Sequence, residues 1–227
     1  ASGRVERELA PLTNAGVLRL QQRLDRRGSY LGLMATHLHQ AGGREAQVLA
    51  TDGVWRDPDR GFSTTATLAR SWTGAREDRE AGHRQYLRVD KAWRSGWSLT
   101  ATGSQASRRY DPNDLGYLSR ADQATASLSV GKVYDASWGI FRNWNWTVSH
   151  SQAWDTAGVN LSRGLSARLM TDTPWFWALW SSAGVALPGM DDRELRSFMS
   201  PRKRYLATPR VPWVNLGFDT AGNRPLY

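Results

Sequence analysis

The chain has 227 residues and a net charge of +9, with 30 lysines and arginines against 21 acidic residues. It contains no cysteine, which excludes a disulfide framework and a thiolate metal site. A mean hydropathy of −0.56, with no apolar run of roughly 18 residues, excludes a membrane-spanning helix but not spanning β-strands, which are only half apolar.

Taken in order, alternating runs predict strands over 16–24 (GVLRLQQRL), 29–40 (SYLGLMATHLHQ), 45–55 and 62–72, the last two joined by RDPDRG. The polar stretch 73–83 predicts a longer loop. Strands follow over 86–93 and 97–107, around the hairpin signal Arg94-Ser95-Gly96. A loop is expected over 108–122 and strands over 123–134 and 140–154. In VNLSRGLSARL (159–169) Val159, Leu161, Leu165, Ala167 and Leu169 share one parity, broken by Arg163. Asn160, Ser162, Gly164, Ser166 and Arg168 share the other, so this strand has one apolar side and one wet side. TDTP (171–174) reads as a turn, 175–187 as a strand, and 188–205 as a long loop with one helical turn around Asp191–Leu195. A last strand is expected over 212–219. The N-terminal ASGRVEREL has no apolar core of a signal peptide, so any export signal is expected upstream or already removed.

The wet parity decides between a protein core and lipid. A soluble sandwich faces water with lysine, glutamate, arginine and threonine. Here, as in 98–104 and 123–131, it is serine, threonine and glycine, residues suited to a crowded barrel interior. Twelve tryptophans, among them Trp97, Trp144, Trp146, Trp175, Trp177 and Trp180, gather near segment ends as in interfacial belts. Arg70, Arg142 and Arg163 interrupt the apolar parity and weigh against lipid, because a midplane arginine costs about 2–4 kcal/mol. The scattered positive charge favours anionic partners.

Several stretches resemble one family in order along the chain. PLTNAGVLRLQQRL followed by GSYLGLMATHLHQ is similar to its first hairpin. RRYDPNDLGYLSRAD resembles its NDLG[FY]-x-x-R loop, GIFRNWNWTVSHSQAWDTAG its G-x-[IF]-R-N-W strand, and GMDDRELR its late DDR loop. The family pairs an N-terminal family 9-like carbohydrate-binding domain with a C-terminal outer-membrane-type β-barrel and is largely uncharacterised. The resemblance covers most of 11–220. It implies an outer-membrane barrel but no established reaction, and residues 1–227 as a single domain from a longer protein.

The expected architecture is all-β: an antiparallel up-and-down transmembrane barrel, or part of one, of about 10–12 strands. Parity nominates Arg19, Arg88, Asp90, Asn143, Asn145, Asn160 and Arg168 as pore-lining. Two loops carry candidate functional groups: Asp111, Asn113 and Asp114, then Asp191, Asp192 and Arg193. Turn formation and loop-fixing ion pairs are the simpler roles for both. His37 and His39 share a strand face without an evident third metal ligand, and Asp57-Pro-Asp59-Arg60-Gly61 lacks the later glutamate of a calcium loop. No cofactor or nucleophile motif is present. The expected role is a passive pore or scaffold linked to carbohydrate binding or uptake. Its expected partners are outer-membrane lipid or lipopolysaccharide and a carbohydrate, not nucleic acid. A soluble tryptophan-rich glycan-binding domain is the alternative, and an envelope hydrolase with loop carboxylates the third. Tryptophans banded at the rims favour the first, and tryptophans in one groove the second.

Overall fold

The computed structural model describes residues 13–41, 43–75, 78–112, 120–137, 139–173, 177–191 and 205–220. These form β1 (Thr13–Arg23), β2 (Tyr30–Gln40), β3 (Arg44–Asp57), β4 (Phe62–Ala75), β5 (Glu80–Ala92), β6 (Trp97–Ala106) and β7 (Gln123–Tyr134). There follow β8 (Asn143–Trp154), β9 (Asn160–Asp172), β10 (Trp177–Leu187), β11 (Gly189–Asp191), β12 (Leu206–Thr208) and β13 (Val211–Thr220). Eleven strands make one antiparallel meander in which each pairs with the next, β10 passing to β13, while β11 and β12 pair with each other in the last connection.

The strand count falls within the expectation of a barrel or part of one, and the sheet is open: among the described residues β1 and β13 each have one neighbour. In a meander of eleven strands the first and last run in the same direction. The antiparallel ladder that joins every other pair therefore cannot join these two.

Three local expectations also change. The loop expected over 73–83 is largely strand, since β4 runs to Ala75 and β5 starts at Glu80. Polar residues on both faces still satisfy the ladder, but they carry no hydropathy alternation. Residues 140–142 belong to a turn, so Arg142 is not on a strand face; its N–H donates to Asp172 O at 2.8 Å. Asp191 lies in β11 rather than a helical turn, and 192–204 fall outside the described residues.

The tight turns follow from glycine. In the turn after β5, Gly96 takes φ 83° and its N–H donates to Trp93 O at 2.9 Å. Gly61 takes φ 58°, and a Cβ there would collide with Ala92 O. Both backbones need the left-handed region that only glycine enters without strain.

The strand ends joined through 24–29, 58–61, 93–96, 135–142 and 173–176 lie at one end of the sheet, the turn end. The strand ends joined through 41–43, 76–79, 107–122, 155–159 and 188–210, the last of these and 107–122 being the longest in sequence, lie at the other. Buried apolar side chains are few. Leu38, Ala46, Val48 and Ala50 are among them, all on one face towards the long-connection end.

Candidate functional site: an apolar band and a hydroxyl face

Paired residues share a face, so the register sorts every strand. One face carries Leu18 and Leu20, Leu31 to Ala35 on alternate residues, Leu49, Ala66 and Leu68, Leu87 and Val89, and Leu99 and Ala101. It continues through Ala126, Leu128 and Val130, then Val148, then Leu165, Ala167 and Leu169, then Ala183 and Val185, to Val214 and Leu216. The opposite face over β6 to β9 carries Ser98, Thr100, Thr102, Ser104, Thr125, Ser127, Ser129, Thr147, Ser149, Ser162 and Ser166.

Exposure is the reverse of a water-soluble domain. Leu68 is 56% and Leu128 46% exposed, and most other leucines of the band are exposed too, while Val89, Leu99, Val130 and Val185 are half-buried like Ser127 and Ser129. Singly exposed leucines are ordinary; a continuous band across eleven strands is the mark of a surface that meets something apolar.

The band crosses the hydrogen-bonded rows diagonally. The row Leu18, Ala35, Leu49 becomes Arg70 and His83 on β4 and β5. The row Leu31, Gly53, Ala66, Leu87, Gly103, Ala126 becomes Gln152 and Arg163 on β8 and β9. A level band on tilted strands requires this drift.

Two different borders flank the band. At the turn end stand Trp55, Phe62, Trp93, Trp97, Tyr134, Trp144, Trp146, Trp177 and Phe218. Tyr134 stacks on Trp144 with centroids 3.9 Å apart, Trp97 meets Trp146 edge-on at 5.5 Å, and Trp55 meets Phe62 at 5.4 Å. The Lys132 ammonium lies 5.2 Å from the Trp97 ring and 5.0 Å from the Tyr134 ring. Towards the long connections the same face turns polar. All four histidines of the chain, His37, His39, His83 and His150, stand there with Gln47, Arg70, Gln85, Gln105, Gln152 and Arg163. Gln47 Nε2 is 3.2 Å from His37 Nδ1, and Gln85 Nε2 donates to Gln105 Oε1 at 2.7 Å. Arg70 and Arg163 therefore border the band rather than interrupt its centre.

Of the parity-nominated residues, Arg19, Arg88, Asp90, Asn143, Asn145 and Arg168 share the hydroxyl face. Asn160 lies past the register shift at Ala153/Trp154 and donates to Pro188 O at 3.2 Å. Arg19 and Asp52 form a two-pronged pair at 2.5 and 2.8 Å. Gly32 lies between them, and a Cβ there would sit 2.6 Å from the Arg19 guanidinium and 2.8 Å from Asp52 Oδ1. Arg88 grips Asp90 through two bonds of 2.8 Å, and Thr100 Oγ1 donates to Asp90 at 2.7 Å. Hydroxyl pairs link the strands, Ser104 with Thr125 at 2.7 Å and Ser129 with Ser149 at 2.8 Å.

At the long-connection end the chain after β6 folds onto this face. Asp111 N–H donates to Ser71 Oγ at 3.0 Å, and the Tyr110 backbone fills the space a Cβ at Gly82 would need. Burial pushes the Tyr110 phenol up, while the nearby Arg84 guanidinium pulls it partly back. Asp122, at φ 58°, accepts from Thr156; Asp155 accepts from the N–H groups of Ala157 and Val159, both at 2.9 Å, and from the Tyr205 hydroxyl. Of the loop candidates, Asp111 and Asp191 are thus held at this end, while Asn113, Asp114, Asp192 and Arg193 lie outside the described residues. No cluster of three metal-ligating side chains occurs among the described residues.

A family model described as a domain of unknown function (DUF5916) matches residues 2–224. The chain belongs to that family. No curated protein and no solved structure matches it.

Some features of this DUF5916 chain escaped sequence reasoning. Trp180, placed near a segment end by pattern, stands on the hydroxyl face opposite Gly217, as Trp213 stands opposite Gly184, and a Cβ on either glycine would collide with the facing indole. Glycine inside a strand is the signal that could have flagged these close approaches, as for Gly32 and Gly82.

Proposed function

We propose that this chain forms the wall of an outer-membrane β-barrel, its apolar band in lipid and its hydroxyl face lining an aqueous interior. The observation that carries this reading is the apolar band continuous over all eleven strands of the sheet and exposed along most of its length. A leucine left half in water forgoes on the order of 1 kcal/mol, and lipid recovers that for the whole row at once. The aromatic and lysine border at the turn end fits a bilayer interface, where amphipathic rings settle at head-group level. Short turns at one end and longer connections at the other fit the usual arrangement of such barrels. Among the described tryptophans, Trp180 and Trp213 stand on the hydroxyl face and the others are spread along the two borders, an arrangement that suits the membrane reading better than one glycan-binding groove. Following the family resemblance, the barrel acts passively, as a pore or scaffold for a carbohydrate-binding module.

The test is refolding into detergent and comparing gel migration with and without boiling, followed by conductance in lipid bilayers. A faster, protease-resistant unboiled band supports the barrel. A chain that stays soluble and monomeric without detergent, with no such shift, refutes it.

A further inference from the structure

Where β1 to β4 meet the long-connection end, the apolar face holds a shallow depression of about 640 Å³. Its floor is Leu18, Ala35 and Leu49, and its upper wall is His37, Gln47 and Trp72. It opens because Gly16 and Ala35 are small; nothing lies within 4 Å of where a Cβ on Gly16 would sit. Arg70 is the cross-strand partner of Leu49 and stands beside the hollow, exposed, its guanidinium carbon 5.2 Å from the centroid of the Trp72 ring. Among the described residues no carboxylate lies within ion-pair distance of Arg70.

The geometry points to a binding site for one anionic phospholipid: an acyl chain against Leu18, Ala35 and Leu49, the head-group phosphate held by Arg70 and His37. This rests on the membrane-barrel reading and deepens it by naming the lipid class and its place. Arg70 starts level with Leu49 and its guanidinium reaches the Trp72 ring, so cation, indole and His37 together edge the apolar floor on the side of the long connections, as a head group edges the acyl chains in a lipid. Guanidinium suits that position because its planar fork donates to phosphate oxygens in pairs while its stem lies along apolar surface. The turn end differs, since there Lys132 also donates to Ser95 O at 2.6 Å.

The test uses the whole protein refolded into phosphatidylcholine vesicles with and without phosphatidylglycerol, extracted in mild detergent and weighed by native mass spectrometry. Wild type should retain one phosphatidylglycerol in preference to phosphatidylcholine. Arg70→Gln should reduce that retention about tenfold, the loss of one charge-assisted contact, while Arg94→Gln at the turn end leaves it unchanged. Equal retention by Arg70→Gln, no preference between the lipids, or displacement by inorganic phosphate alone overturns the inference. Migration without boiling is read on every sample. A wild type lacking the shift defeats the barrel reading as well, whereas a shifted wild type without selective retention defeats only the lipid site.

Discussion

Leu128 and Ser129 are neighbours on β7 with opposite fates in a membrane barrel. Leu128 stands 46% exposed on the apolar face, flanked by Ala126 and Val130 and paired across to Ala101. Ser129 points the other way and shares a 2.8 Å hydroxyl bond with Ser149. Arginine at Leu128 would enter the middle of the band, where it costs about 2–4 kcal/mol, roughly a 30- to 900-fold loss in the folding equilibrium. Arginine at Ser129 forfeits one hydroxyl bond, about 0.5–1.5 kcal/mol, and gains water in the interior. The assay is refolding into vesicles across a urea gradient, scored by the fraction migrating as the unboiled form. The expected order is wild type, then Ser129→Arg slightly weaker, then Leu128→Arg far weaker. If the band faced water, Leu128→Arg would fall within about 0.5 kcal/mol of wild type, and that result refutes the assignment of faces.

Gly82→Leu should displace the Tyr110 segment from the hydroxyl face and cost about 1–3 kcal/mol as an overpacked site; faster proteolysis within 107–112 would report it. Gly32→Ala drives a methyl between Arg19 and Asp52, but both are free side-chain ends and the pair is partly exposed, so the loss should stay under about 1 kcal/mol. Asp25 accepts from Ser29 Oγ at 2.6 Å and from the N–H groups of Ser29 and Arg27, which hold its carboxyl below its ordinary value. A depressed carboxyl contributes stability above its unfolded value, lost as pH falls through the depressed one. Asp25→Asn should therefore lower stability at neutral pH, converge with wild type at acid pH, and so flatten the acid limb of a stability–pH profile.

Parity was legible because it is local. The alternation in VNLSRGLSARL needs no knowledge of neighbours, so six of the nominated residues reach one face together. Asn160 escaped because a register shift at Ala153/Trp154 intervenes, which depends on the partner strand. The extensions of β4 and β5 beyond the band were read as loop because Thr73, Glu80 and Ala81 carry backbone pairing without hydropathy contrast. The Arg19–Asp52 pair lies 33 residues apart in sequence, and only the ladder through Gly32 brings its ends together. The lipid-site depression had no sequence signal either, since its apolar floor and polar wall come from different strands.

The band runs undiminished to both outer strands, Leu18 and Leu20 on β1 and Val214, Leu216 and Phe218 on β13, and these are among the most exposed apolar residues in the chain. In hydrocarbon an unpaired N–H or C=O costs several kcal/mol, and an edge strand presents one on every second residue. A sheet with two open edges is therefore incompatible with lipid, and the membrane reading requires both edges to be hydrogen-bonded when the protein is inserted. Hydrogen exchange on peptides spanning Thr13–Arg23 and Val211–Thr220 reads this directly. In vesicles these edges should exchange as slowly as the inner strand β7; in denaturant they should exchange freely. Rapid exchange at both edges in inserted, boiling-sensitive protein would mean that water reaches them. The apolar band would then have to be covered by something other than a bilayer.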